Sequence, residues 1–150
     1  TTMRMCYTNR RLLAQTALQL IADGKNQKAI NILKKADVEI PAYNVTLDYM
    51  SGGLDMARGW LLTGQKAKGK EYVEAVWKNA HQYLDYYLSL TNDRFLQSQN
   101  DCIRQIMIMQ SVCDVAGMVS PQLQKSYEKQ LNALYTLYRG RGGSMPQGNQ

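Results

Sequence analysis

The sequence predicts an all-α protein of antiparallel helical hairpins, about six helices stacked side by side. Three observations lead there. Apolar residues recur every three or four positions along most of the chain. Glycine or proline stands at the ends of these stripes, with only a few residues between one stripe and the next. The one β-branched cluster, Val38 to Ile40, is too short to mark a strand.

Each element follows from its own residues. Residues 8–23 carry apolar side chains at 13, 17, 20 and 21, and Gly24 is a stop signal. Ala29, Ile30, Leu33 and Ala36 form a second stripe that ends near Pro41. The connection between the two is so short that they must fold back as an antiparallel hairpin. A third helix is expected from about 46 to 63, with Leu47, Met50, Leu54, Ala57 and Leu61 on one side and Gly64 at its end. Its interior would hold Gly52 and Gly53, at a cost of about 1 kcal/mol each relative to alanine. Residues 65–90 read as a long fourth helix through Tyr72, Val76, Tyr83, Tyr87 and Leu90. A fifth, from about 94 to 116, is apolar on several sides (Ile103, Ile106, Met107, Met109, Val112, Val115), which predicts a helix set between others, closed by Gly117. Ser120-Pro121 supplies an N-cap and a first-turn proline for a sixth helix through Leu123, Tyr127, Leu131, Leu134 and Tyr138. The helical domain is therefore expected over 1–139. The Gly-rich residues 140–150 are expected to form a flexible tail.

Two segments repeat. GKNQKAINILKKA from Gly24 and GQKAKGKEYVEAV from Gly64 each open on glycine, with lysine four on and a small residue five on (Ala29, Gly69). A bulky apolar residue stands nine on, Leu33 and Val73, and Ala17 and Ala57 stand seven before the glycines. A 40-residue period lies in the range of helical repeat arrays. Helices approach to about 8 Å only where side chains are small. Ala17 facing Ala29 would permit that, and Ala36 would admit a further helix.

On these residues the chain resembles a tetratricopeptide repeat. Ala17, Gly24, Ala29, Leu33, Ala36 and Pro41 match in the first unit, and Ala57, Trp60, Gly64, Gly69 and Val73 in the second. The second unit departs at Val76 and His81, where the family has alanine and proline, and the third hairpin shares little beyond Gly117. The resemblance implies a right-handed array: a two-repeat core with an irregular capping pair. Residues 10–90 also resemble the soluble C-terminal region of a bacterial family of multi-spanning membrane proteins, distantly similar to protein O-mannosyltransferases. The segments that carry this are RLLAQTALQLIADGKNQKAINILKKADVEIP, LDYM, LLTGQKAKGKEYV and YLDYYLSL. That likeness implies a tail on the periplasmic side, attached to a membrane-embedded, glycosyltransferase-like part. Catalysis would belong to that part, so no catalytic residue carries over.

At 150 residues and 45% hydrophobic, the chain can bury a sizeable core, which excludes general disorder. No uninterrupted apolar run reaches membrane-span length. Eighteen basic against twelve acidic residues leave a net charge of +6, spread along the chain as a solvated surface would be. Cys102 and Cys113 lie about 16 Å apart on one helix, too far for a disulfide, and read as buried thiols; Cys6 is left open. His81 is the sole histidine, in mid-helix, and reads as a packing or surface residue rather than a catalytic one. Asp48, Asp55, Glu71, Glu74 and Asp85 show no paired acid–base pattern, and Glu74 is expected to pair with Lys78. No metal-ligand spacing and no phosphate-binding loop is present, so no cofactor is assigned. In HQYLDYYLSL, a stacking platform for sugars or bases competes with core packing, and the helical spacing of Tyr83 and Tyr87 favours the core. The glycosylation-type triplet Asn44-Val45-Thr46 carries no weight.

The functional expectation is a non-catalytic interaction domain. Stacked hairpins leave a groove along the first helix of each pair, which Arg11 and Arg58 would line. An acidic peptide, a carboxylate terminus or an anionic glycan would suit such a groove. The alternative is a basic helical nucleic-acid-binding domain, with Lys25, Lys28, Lys66 and Lys68 gathered at the hairpin turns; it lacks a recognition-helix signature.

Overall fold

A computed structural model describes residues 2–42 and 47–144, with side chains from residue 9 onward. The described residues are helical throughout, with no strand: α1 (Thr2–Ala22), α2 (Asn26–Glu39), α3 (Gly53–Leu62), α4 (Lys66–Leu88), α5 (Asn92–Gln97), α6 (Gln99–Val119) and α7 (Pro121–Gly140). The all-α expectation holds. The chain divides into two compact units, residues 1–76 and 77–150, and α4 supplies residues to each.

In the first unit α1 packs on α2 and α3, and α2 on α3. The turns after α1 and α3 are the same structure 40 residues apart. Gly24 and Gly64 have φ +77° and +81°. Gly24 N–H donates to Ile21 O and Lys25 N–H to Leu20 O; Gly64 N–H donates to Leu61 O and Gln65 N–H to Trp60 O. This is the Schellman ending, which needs a left-handed residue that glycine supplies at least cost. The sequence repeat is thus a repeat of helix-ending geometry.

The small residues lie where close packing was expected. Ala14, Ala17, Ala29, Ala36 and Ala57 are all buried. A Cβ on Gly59 would stand 3.0 Å from Leu33 of α2. Gly69 of α4 lies directly under Leu61 of α3, and a Cβ on Gly53 would stand 2.9 Å from Val76. The pairs 53 with 76 and 61 with 69 run in opposite directions, so α3 and the start of α4 are antiparallel. Asp37 of α2 accepts from Lys68 Nζ (2.6 Å) and from the Tyr72 hydroxyl, tying α2 to α4. That bond to Asp37 holds the Lys68 ammonium above its ordinary pKa.

In the second unit α6 lies on α7, and α5 touches α6. Trp77 and Tyr127 stack at 4.0 Å and 5°. The Ser120 hydroxyl accepts from Leu123 N–H, with Pro121 in the first turn of α7, as expected. Among the described residues only α6 has the length and apolarity of a membrane span; half of it is buried inside the protein, as in a core helix.

Three expected boundaries move. The third helix begins at Gly53, because Gly52 is left-handed (φ +84°) and residues 49–52 form a turn; the glycine pair caps the helix instead of interrupting it. The fifth helix divides into α5 and α6 at Ser98. Gly117 lies inside α6, where the Gln124 side chain covers it, and the helix runs on to Val119. Glu74 pairs with Lys70 (3.7 Å) rather than with Lys78. Of the expected tail, residues 141–144 are bound to the second unit. Tyr138 Oη donates to Ser144 O (2.8 Å), and Arg141 donates to Leu88 O (2.5 Å) and to Asn92 Oδ1 (3.0 Å). The triplet 44–46 and the side chain of Cys6 lie outside the described residues.

Candidate functional site

A pocket of about 230 Å³ opens between α1, the turn before α3 and the start of α3. Its lining is Arg11 and Gln15 from α1, Tyr49 and Met50 from the turn, and Leu54 and Asp55 from α3. Arg11 and Gln15 are one helical turn apart and share a face. Leu54 is buried, whereas Met50 is 61% and Tyr49 44% exposed.

The turn that bears Tyr49 and Met50 is held from beneath. Ser51 is fully buried; its N–H donates to Asp48 Oδ1 (2.7 Å), and Asp48 N–H donates to its hydroxyl (3.2 Å). Below it lies Arg10, 1% exposed, whose guanidinium donates to Ser51 Oγ (3.1 Å) and to Ile40 O (2.8 Å). One side chain therefore joins α1, the end of α2 and the entry to α3. Gly52 closes the arrangement by lying against the backbone of Arg11.

The two arginines expected in the groove have different fates. Arg11 is exposed, lines the pocket, and makes no ion pair or hydrogen bond with any described side chain. Arg58 donates to Asp55 Oδ1 at 2.9 Å and meets the pocket only through that partner. Sequence reading missed Arg10, although a signal existed. Positions 10, 14 and 17 fall on one helical stripe, and Ala14 and Ala17 are its buried members. A cation on that stripe must be buried with its donors satisfied.

Other candidates resolve as follows. Tyr83 and Tyr86 are 50% and 59% exposed, and Leu84 is the buried residue of that turn, so the core reading of Tyr83 is corrected: α4 turns Leu84, not the tyrosines, inward. Tyr87, half-buried, lies 6.4 Å from Tyr83 and 5.5 Å from Tyr86 between ring centroids. His81 Nδ1 lies 2.8 Å from Asp85 on the same helix. No group of three metal-ligating side chains occurs among the described residues. Of the four turn lysines, Lys68 is committed to Asp37, while Lys25, Lys28 and Lys66 are exposed.

Cys102 and Cys113 are buried and unbridged, and burial pushes both thiols up to about 11. Two results follow. Maleimide at pH 8 adds no mass at either position in the native protein and labels both once it is unfolded, read by peptide mass spectrometry. Stability also falls as pH rises from about 9 to about 11. In that window the unfolded thiols lose protons that the folded ones retain, so fewer protons are bound in the unfolded state. A melting temperature that is flat over this window contradicts the assignment. Burial likewise raises the Tyr138 phenol, so it adds to the fall in the same direction.

No family model matches the chain, and no curated protein or solved structure is similar to it.

Proposed function

We propose that the chain is a non-catalytic interaction module, a tetratricopeptide-like pair of hairpins whose α1–α3 groove receives an acidic peptide. The observation that carries this reading is the pocket itself: an apolar floor beside an arginine with no partner inside the described chain. The repeated glycine turns and buried alanines support the array, since they serve hairpin stacking and leave the outer faces of α1 and α3 free for a partner. By its resemblance to the membrane-protein tail, the module is placed on the periplasmic side, where it would position a substrate or an assembly partner for the membrane part. A glycan is the second ligand class in that setting. Nucleic acid is the weaker reading, because Asp55 lines the pocket and Lys68 is spent on Asp37.

The test is selection from a random displayed peptide library on the immobilised chain, followed by mapping of amide shifts. Selected peptides enriched in acidic residues, with shifts on α1, residues 47–52 and α3, are expected. An empty selection, together with duplex DNA binding that weakens steeply with salt, overturns the reading in favour of nucleic acid.

A further inference from the structure

We infer that the pocket reads a two-part signal in an extended internal peptide segment: a large apolar side chain, and an aspartate or glutamate two residues away. This rests on the module reading above. The cavity of about 230 Å³ has room for one large side chain and little more. Leu54 is its buried floor, and Met50 and Tyr49 are its exposed walls. Those walls are not loose: the Arg10–Ser51–Asp48 bonds hold their turn. A rigid, exposed apolar wall gains about 25 cal/mol per Å² when a ligand covers it and loses little conformational freedom in doing so.

The charges set where the ligand's acid must lie. Asp55 is already neutralised by Arg58, yet its second oxygen still faces acceptor-poor space and repels an anion from the interior. Arg11, exposed at the mouth, is the cation left to attract one. The apolar group therefore goes in and the carboxylate stays at the rim. An extended chain puts side chains i and i+2 on one face about 7 Å apart. Arg11 and Gln15 stand about 6 Å apart along α1, a matching step. Gln15 can both donate to and accept from the ligand's backbone, and the free lone pairs of Asp55 accept a peptide N–H. A phosphate or a nucleic-acid backbone has no donor for Asp55, which is why a peptide is the better fit.

The experiment uses the full chain and heptapeptides acetylated and amidated at their ends, read by fluorescence anisotropy. Leu is fixed at the centre, Asp is scanned through the other positions, and Ser fills the rest. Binding is expected to peak with Asp two residues from Leu, at least tenfold above the Asn counterpart. Arg11→Gln should erase the Asp–Asn difference, and Arg11→Lys should restore part of it; both changes are on the surface and leave the fold intact. Indifference to Asp position, an Asp–Asn difference that survives Arg11→Gln, or binding only by uncapped peptides with a free carboxyl terminus overturns the inference. If none of these heptapeptides binds while the random library still yields ligands on α1 and α3, this inference falls and the module reading stands. If both fail, both fall.

Discussion

Arg10→Ala is expected to destabilise the first unit by about 4 kcal/mol, the largest single loss among its polar side chains. The guanidinium is 1% exposed and joins Ser51 Oγ and Ile40 O. Hydrogen bonds from a charged donor are worth about 1.5–3 kcal/mol each, and a buried acceptor stripped of its donor costs about 1–3 kcal/mol. Truncation also leaves a void that water or collapse must fill. Ser51 keeps its bonds with Asp48, so part of that loss is recovered, whereas Ile40 O loses its charged donor. Arg10→Lys keeps the charge but not the fork that spans two acceptors, and should cost about half as much. Urea titration with hydrogen exchange read on residues 9–76 measures both. If Arg10→Ala changes exchange no more than a surface substitution, the guanidinium is not the cross-link described here. The same variants bear on the pocket. Once Arg10 no longer holds Ser51, Met50 and Tyr49 lose their fixed position, and peptide binding should weaken even though neither residue has changed.

Gly52→Ala is expected to cost about 3 kcal/mol, against about 1 kcal/mol for Gly24→Ala. Both glycines are left-handed, at φ +84° and +77°, and an L side chain there carries about 1 kcal/mol of backbone strain. Their surroundings differ. A Cβ on Gly24 meets nothing within 4 Å, whereas on Gly52 it would stand 2.8 Å from Arg11 Cα and 3.2 Å from Arg11 N. Backbone cannot rotate aside as a side-chain tip can, so α1 and the entry to α3 must separate, at a further 1–3 kcal/mol or so. Equal losses for the two variants, measured by denaturant midpoint, would show that backbone strain alone governs both sites. A larger loss for Gly52 shows that the contact with α1 matters. That contact also sets the width of the pocket mouth.

These two residues show how far the chain could be read without coordinates. The hairpin turns were legible because their chemistry is local. A glycine that ends a helix needs only its own φ and the carbonyls of the preceding turn, and Gly24 and Gly64 announce it in the same words 40 residues apart. The N-cap at Ser120 is local in the same sense. Gly52 was misread as a helix interior because its reason lies elsewhere in the chain, on the backbone of Arg11. Ser98 gave no signal of the break between α5 and α6, since no proline or glycine marks it. Tyr83 was assigned to the core by spacing alone. Helical spacing fixes which residues share a face but not which face turns inward, and α4 buries Leu84.

The candidate site divides along the same line. Arg11 was found from its place in the repeat and does line the pocket. Arg58 was found in the same way, but Asp55, three residues before it on α3, holds it. Arg10, next to Arg11 in sequence and about 100° around the helix from it, points into the protein.

By itself, then, the sequence determined the helices, their capping chemistry and the small residues that let them pack, because each depends on neighbours within a turn or two along the chain. Only the tertiary structure decided which of two adjacent arginines is buried and which is free, and that Tyr49 and Met50 face a cavity instead of a core. Those outcomes depend on where residues some 40 positions apart meet, and periodicity carries no information about that.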